Sequence, residues 1–511
     1  MKLGAFLAAQ AVAQPEKNAL VCGEHAMTFQ ELHDASDRVA CGLRDAGVAV
    51  GDRIAILLPN CCEFVMLFMA IVKCGGAALP LNKRLSPGEI GAILDDAEPA
   101  LMFHMGEDRA FVSSIPGTRV MRRCAVNADA EAGELALTDL LRTKPRPIDV
   151  PAEFDDCMIS YTSGTTGQPK GVITTQANYI VSNGFLNGLH WGLTSADRIM
   201  ITTPLAQRAG FARVGNVIVL GCTLYMQPKF DIEDIAATVE NECITLIGIV
   251  PTIGKLLLPG MERAPERFRT LRVLVATGEA FPVDVKQRIQ TALPSLKIFS
   301  FLAMTESGAI ATLLPDQQIK HAASVGRVTP GVEVRLVGDD GRDVPPGEAG
   351  EIWVRSGLPG QYIIFRAYFR KEEATQAAFE SGWFKTGDIG RFDAEGFLHI
   401  VDRKKDMVVS GGYNIYSKEV ELVLRKHPAV ADAAVIGVPD PAFGEAVAAF
   451  IECEPGESVS SDALISWCGN EIAGYKKPKF IVFTPELPRN NMGKVLKTEL
   501  RKAFSKIDAH Q

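Results

Sequence analysis

"YTSGTTGQPKGV", residues 161–172, places three glycines, four aliphatic hydroxyls and one lysine in twelve residues. The preceding "CMIS", residues 157–160, is a strand-like run that delivers Tyr161 to the end of a buried strand. A strand entering a glycine-rich loop suits an anion, because without a Cβ the backbone can turn its N–H groups inward and approach closely. Around Gly164 and Gly167, the side chains of Thr162, Ser163, Thr165 and Thr166 add hydroxyl donors, and Lys170 adds a compact positive charge. That set fits a polyphosphate. It is not a Walker A loop, since the pattern G-x-x-x-x-G-K-[ST] cannot be laid over "GTTGQPKGV". Taken alone, the stretch also reads as a glycine- and threonine-rich surface turn.

Upstream, "DRVACGLRDAGV", "RIAILLP" and "CEFVMLFMAIVKCGGAALPLN" alternate helical spacing with short apolar runs, and the alternation returns in "CTLYMQPKFDIEDIAATVENECITLIGIVPTIGKLL" and "LRVLVATGEAFPVDVKQRIQTALP". Strands separated by helices predict parallel sheet in α/β layers, and two such stretches predict two related subdomains. After residue 320, "GVEVRLVGDDGRDVPPGEAGEIWVRS" changes to period-two spacing with Gly/Pro turns, which predicts a small β subdomain. "GFLHIVDRKKDMVVSGGYNIYSKEVELVLRKHP" reads as strand, charged turn, strand, glycine turn and helix. Beyond the charged turn, "VADAAVIGVPD", "EAVAAFIECEP" and "KFIVFTPELP" predict three strands of a compact α+β domain.

The chain has 511 residues, enough for two or more domains, with 47% hydrophobic and 22% charged residues, as in soluble globular proteins. A net charge of -8 argues against a broad nucleic-acid footprint. The eleven cysteines are odd in number and show no paired C-x-x-C spacing, which fits reduced thiols in a cytoplasmic protein. The early run "LGAFLAAQAVA" has the spacing of an amphipathic helix, with Lys2 alone before it and Gln10 interrupting it, rather than that of a secretion signal. No apolar run approaches the roughly 20 residues that span a bilayer. The closing "KIDAHQ" differs from the S-K-L peroxisomal address.

The glycine-rich loop resembles the signature of the adenylate-forming superfamily, which includes acyl-CoA synthetases, peptide-synthetase adenylation domains and firefly-type luciferases. The resemblance extends over nearly the whole chain. It includes "MTFQELHDASDRVACGLRDAGVAVGDRIAILLPN" from residue 27, "MTES" at 304–307, "GWFKTGDIG" at 382–390, "DRKKDMVVSGGYNI" at 402–415 and "PRNNMGKVLK" at 488–497. It implies a large N-terminal domain, residues 1–401, of two related α/β subdomains plus a small β subdomain. A small mobile α+β C-terminal domain, 402–511, would follow a hinge at Asp402–Arg403.

The chemistry that the resemblance implies begins with a carboxylate attacking the α-phosphate of ATP, giving acyl-adenylate and pyrophosphate, after which the acyl group passes to the thiol of coenzyme A. Carboxylate and phosphates repel, so the site must neutralise charge while aligning the attack. By resemblance, the loop Thr162–Gly167 and Lys170 hold the β and γ phosphates, Thr305 lies beside the α-phosphate, and Glu306 holds Mg²⁺, an ion suited to hard oxygen ligands. The nucleotide site also takes in Gly278, Glu279 and Ala280 together with Phe301 and Leu302. Asp388 and Arg403 would contact the ribose. Lys494 would bridge carboxylate and α-phosphate as the catalytic lysine. Rotation about Asp402 would then withdraw it and bring Ser410, Gly411, Gly412 and Tyr413 to the site for thioester formation.

Three departures stand out. Leu302-Ala303 replaces the usual aromatic-glycine pair, so adenine meets an apolar face with Phe301 as a substitute ring, and Ala303 narrows the acyl pocket. Gln207 stands where a histidine is common. Ser417 stands where a proline often precedes the helix, a change expected to affect local rigidity alone. The acyl pocket implied is Gln207, Arg208, Phe211, Gly278, Ala303 and Met304. Arg208 and Arg213 in "AQRAGFAR" have two readings: donors to a second carboxylate or other polar group of the acid, or surface residues that are ion-paired or contact CoA phosphates. His190 reads as a packed or surface residue. The function expected is an ATP-dependent acid–CoA ligase. A freestanding enzyme loading a carrier protein is the runner-up, with a luciferase-like relative behind it. ATP, Mg²⁺ and coenzyme A are the expected cofactors and co-substrates, the partners are small molecules, and a homodimer is left open.

Overall fold

The computed structural model describes every residue except 119–120, 163–168, 279–280, 412, 490–494 and 509–511. The chain packs as two compact units, Met1–Val334 with Val354–Phe384, and Arg335–Trp353 with Lys385–Gln511.

The first unit contains two large sheets. One runs in the order Ala367–Tyr368, Lys170–Thr175, Asp156–Thr162, Ala77–Pro80, Arg53–Leu57, Leu101–Met105, Arg123–Val126 and Glu134–Ala136. Its last six strands are parallel, while the first three are joined by antiparallel pairings. The other runs Arg327–Val328, Gly308–Leu313, Lys297–Met304, Val273–Ala276, Leu246–Ile249, Arg198–Ile201, Thr223–Met226, Asn18–Cys22 and His25–Thr28. It too has a parallel centre, flanked by the antiparallel hairpin of Lys297–Met304 with Gly308–Leu313. Two sheets of one plan agree with two related subdomains. In each, an antiparallel hairpin beside the parallel strands carries a motif: the phosphate-loop stretch follows Thr162, and "MTES" turns after Lys297–Met304.

Local chemistry starts these elements where the spacing predicts. Thr28 caps the helix Phe29–Asp45 in a capping box, its hydroxyl accepting from the Glu31 N–H at 3.1 Å while Glu31 accepts the Thr28 N–H at 2.8 Å. Leu3, Leu7 and Ala11, four residues apart, are the buried face of the first helix, Leu3–Ala13. Cys62–Lys73 is apolar nearly all round and correspondingly buried between its neighbours.

An unusual element follows Thr175. Gln176–Asn178 is α-helical, Tyr179–Leu186 is π-helical and Asn187–Trp191 is α-helical again. This run packs on the helix Arg208–Leu220 so closely that a Cβ on Gly184 would lie 2.7 Å from Val219, and one on Gly215 would lie 2.8 Å from the Asn183 Cβ. A long π segment is rare and concentrates at functional sites.

The second unit holds a sheet ordered Tyr413–Ile415, Val408–Ser410, Gly444–Cys453 and Val430–Asp440, with Phe480–Phe483 parallel to Gly444–Cys453. The helices Ser417–Leu424 and Ser461–Glu471 bury Val420, Leu424, Leu464 and Cys468 in its core. The three predicted strands are present, and the short strand Tyr413–Ile415 joins them. The strands Glu333–Val337 and Gly350–Arg355, read as a β subdomain of the larger part, share a sheet with Trp383–Phe392 and Leu398–Arg403. Packing therefore groups Arg335–Trp353 with the C-terminal residues, a division different from 1–401 and 402–511. Turn chemistry marked where the strands end but not which strands pair. No described helix is long and apolar enough to cross a membrane.

Candidate active site

In the first unit, Thr162 and Lys170 stand opposite each other where Asp156–Thr162 and Lys170–Thr175 enter the loop between them. Ser163, Gly164, Thr165, Thr166 and Gly167 lie outside the described residues, as do Glu279, Ala280, Gly412 and Lys494. The Lys170 ammonium sits 5.0 Å from the centre of the Tyr368 ring, and the Tyr368 hydroxyl donates to Glu306 Oε1 at 3.2 Å. Burial and the adjoining carboxylate raise the Tyr368 phenol well above its ordinary value, so it stays protonated and donates. Lys170, Tyr368 and Glu306 thus form one chain of contacts between the two hairpins. Tyr368 was missed from sequence. The alternation in "FRAYFR" could signal a strand, but its partner strand lies some two hundred residues upstream.

Thr305 and Glu306 form the turn into Gly308–Leu313, which Gly308 enters with φ +64°. The turn is held from two sides: Phe365 N–H donates to the Glu306 carbonyl at 2.7 Å, and Arg208 Nη1 donates to the Thr305 carbonyl. Burial raises the Glu306 carboxyl above the usual range, opposed by the Tyr368 hydrogen bond and the charges of Arg208 and Lys170. Tyr368 is the one side chain among the described residues that donates to this carboxylate. Its remaining lone pairs fit a hard cation such as Mg²⁺.

Gly278 follows the strand Val273–Ala276 with φ +101°, a conformation that favours glycine. On Lys297–Met304 the pairing register with Gly308–Leu313 shifts between Leu302 and Ala303. Phe301 stacks on Trp191, ring centroids 6.3 Å apart and planes at 25°. Gln207 is the N-cap of the helix Arg208–Leu220, without a side-chain capping bond. Phe211, expected in the acyl pocket, is a core residue instead: its ring packs edge-on against Phe68 at 4.6 Å and Tyr179 at 5.3 Å. Three residues beyond Arg208, it points into the apolar interior.

Arg208 and Arg213 overturn the surface alternative. Arg213 is buried, Arg208 is partly buried against the Thr305 turn, and neither has a carboxylate within ion-pairing distance among the described residues. His190 is half-buried, and burial lowers its imidazole below the ordinary value.

In the second unit, Asp388 and Arg403 are direct cross-strand partners, with Arg403 Nε 3.4 Å from Asp388 Oδ1. Asp402, next along the strand, is buried, and its carboxylate accepts from the Ser417 N–H and from Ser417 Oγ at 3.0 Å. Lys497 completes a network, donating to Ser417 Oγ at 2.8 Å and pairing with Glu421 at 2.7 Å. Burial raises the Asp402 carboxyl, while the Arg403 N–H, Lys497 and Ser417 oppose that rise. Ser417 therefore does more than alter rigidity, because proline has neither the N–H nor the hydroxyl that Asp402 accepts. Ser410 and Tyr413 pair across a tight hairpin in which Gly411 has φ +57°, and the exposed Tyr413 ring lies 4.8 Å from that of Tyr475.

Comparison with known proteins adds to this geometry. Residues 7–369 match the model of the AMP-binding enzyme family, and residues 419–494 match its C-terminal domain. A feruloyl-CoA synthase of Amycolatopsis sp is 35% identical over 98% of this chain and 99% of its own length. A long-chain-fatty-acid–CoA ligase of Mycobacterium tuberculosis is 33% identical over 98% of each. Bacillus subtilis o-succinylbenzoate CoA synthetase, solved with ATP and magnesium ion, superposes with a TM-score of 0.82 at 31% identity, covering 97% of this chain and 98% of that one. The same protein has been solved with an acyl-adenylate intermediate, with a TM-score of 0.83.

Proposed function

We infer from the AMP-binding enzyme family, to which this chain belongs, that it is an ATP-dependent carboxylic acid–CoA ligase that makes an acyl-adenylate and passes the acyl group to CoA. The observation that carries the assignment of roles is the Lys170–Tyr368–Glu306 chain of contacts, which sets a cation, a neutral donor and a carboxylate beside the Thr305 turn. Lys170 and the hydroxyl-rich loop hold the pyrophosphate leaving group. Tyr368 fixes the Glu306 carboxylate in place to hold Mg²⁺. Bound there, the ion lowers the charge repulsion between triphosphate and incoming carboxylate. Arg208, through the Thr305 carbonyl, sets the turn that faces the α-phosphate. Asp388 accepts from the ribose hydroxyls with Arg403 beside it, a reading supported by their cross-strand pairing. Gly278, Glu279, Ala280 and Leu302 complete the nucleotide site, and Gln207, Ala303 and Met304 the acyl pocket.

Lys494 supplies the ammonium at the reacting carboxylate and α-phosphate, and Asp402–Arg403 is the hinge about which residues 402–511 turn between the two half-reactions. Ser410, Gly411, Gly412 and Tyr413 then line the approach of the CoA thiol. Cytoplasmic residence belongs to the same proposal, supported by eleven free thiols.

The test is pyrophosphate and AMP release by the purified chain from ATP, Mg²⁺ and an acid panel, with CoA or carrier protein as acceptor. Turnover with carrier protein and none with CoA would overturn the ligase reading. Lys494→Ala should slow adenylation by at least about 10²-fold, the effect of losing a transition-state donor, yet leave thioester formation from supplied acyl-adenylate nearly intact. Equal losses in both half-reactions would contradict the role of Lys494.

A further inference from the structure

Arg213 is 4% exposed in the middle of the helix Arg208–Leu220, with its guanidinium 4.5 Å from the centre of the Trp191 ring. One neutral group reaches it: the Asn187 carboxamide, oriented so that its nitrogen donates to the Ser182 carbonyl at 3.2 Å, accepts from Arg213 Nη2 at 3.3 Å. Among the described residues Nη1 has no hydrogen-bond partner, and neither do the buried Asn183 Nδ2 and Asn216 Oδ1. Asn216 follows Arg213 by almost one helical turn, and Asn183 lies on the π-helical segment packed against that helix. Burial lowers the guanidinium to about 9, which still leaves it charged at neutral pH. A buried cation needs an anion, because a π-face and one amide replace only part of its lost hydration.

Position says which anion. Arg208, at the start of the same helix, donates to the carbonyl of Thr305, and five residues of helix put Arg213 about 7.5 Å further along the axis. Ala209, one turn before Arg213 on the same helix face, is exposed, although every residue from Gly210 to Val219 is buried. The helix face that carries Arg213 is thus exposed one turn before it. Trp191, under the guanidinium, stacks on Phe301, which lies four residues before Thr305 on the strand Lys297–Met304. The strand that ends at the Thr305 turn is thus linked through Phe301 and Trp191 to a cation with no carboxylate partner among the described residues.

We propose that Arg213 receives a second carboxylate at the far end of the acid being activated, so that the enzyme's substrates are dicarboxylic acids whose carboxyl groups lie roughly 7–10 Å apart. This rests on the ligase reading above and on adenylation at Thr305. The planar guanidinium offers Nη1 to one carboxylate oxygen while Asn187 holds Nη2. An acid without the second carboxylate leaves that cation buried and unpaired, so the preference is large.

The experiment measures kcat/KM for CoA-dependent pyrophosphate release by the full chain with two matched pairs, suberate against octanoate and para-carboxycinnamate against para-methylcinnamate. The wild type should prefer the diacid of at least one pair by about 10²-fold or more, as expected where a buried polar partner is left unpaired. Arg213→Met should abolish that preference while its kcat/KM for the monoacid stays the same or rises. Arg213→Lys, which keeps the charge but not the planar fork, should keep the diacid preference at about a tenth of its size. Turnover of monoacids with no diacid preference would overturn the proposal and leave the ligase reading standing. No CoA-dependent turnover of any acid in a broad panel would overturn both. The wild-type comparison decides the matter even if the methionine variant fails to fold.

Discussion

Lys286 lies on the helix Val283–Ala292 with 2% of its surface exposed and its ammonium 5.8 Å from the centre of the Phe281 ring. Burial lowers it to about 8. Since this folded value is below that of the unfolded lysine, the unfolded chain binds more protons between the two, and stability gains as pH rises through that window. Lys286→Met should therefore raise the melting temperature at neutral pH. The advantage over wild type should shrink as pH rises from about 8 towards about 10.4, the ordinary lysine value. Thermal melts across that range check it, and an advantage independent of pH would refute the cause. At this scale the sequence is legible for motif residues and silent about partners. It offered Lys170 and Glu306 as candidates, but the hydroxyl that links them comes from a distant strand. Phe211 sits beside a motif position, yet helical phase sends its ring into the core.

Elements were read well wherever one periodicity ran long enough. The first helix and the parallel strands fall where apolar spacing puts them, because each buries its face within its own layer. The π segment Tyr179–Leu186, packed closely against Arg208–Leu220, left no such trace. Gly215 shows the force of that fit. Alanine there would gain helix propensity of about 1 kcal/mol, but its Cβ would meet the Asn183 Cβ at 2.8 Å and the Tyr179 carbonyl at 3.1 Å. Gly215→Ala should destabilise the protein by about 1–3 kcal/mol through overpacking. Gly469→Ala, on the helix Ser461–Glu471 with nothing within 4 Å of the added methyl, should stabilise by up to about 1 kcal/mol. Denaturant midpoints of the two variants should move in opposite directions, and shifts of one sign would deny that the contact at Gly215 is tight.

For the whole molecule, the ordered motifs made family and chemistry legible, while the strand pairing across residues 333–403 was not, because turn chemistry does not show which strands meet. The network around Asp402 was hidden for the same reason. Its members, Ser417, Glu421 and Lys497, are scattered over almost a hundred residues. Ser417→Pro should be accepted at the first position of the helix Ser417–Leu424, where proline fits sterically. It should still cost about 1–3 kcal/mol by taking two donors from a buried carboxylate, and slow thioester formation more than adenylation. Separate rates for the two half-reactions check this, and equal slowing would detach the network from the hinge.

Lys497 stands three residues after Lys494 and is fastened, through Ser417, to the residue at which the turn is proposed. A lever places its tip accurately only when nothing slips between pivot and tip. These hydrogen bonds remove the slack on the pivot side, so the proposed rotation at Asp402 would carry the start of the final helix with it.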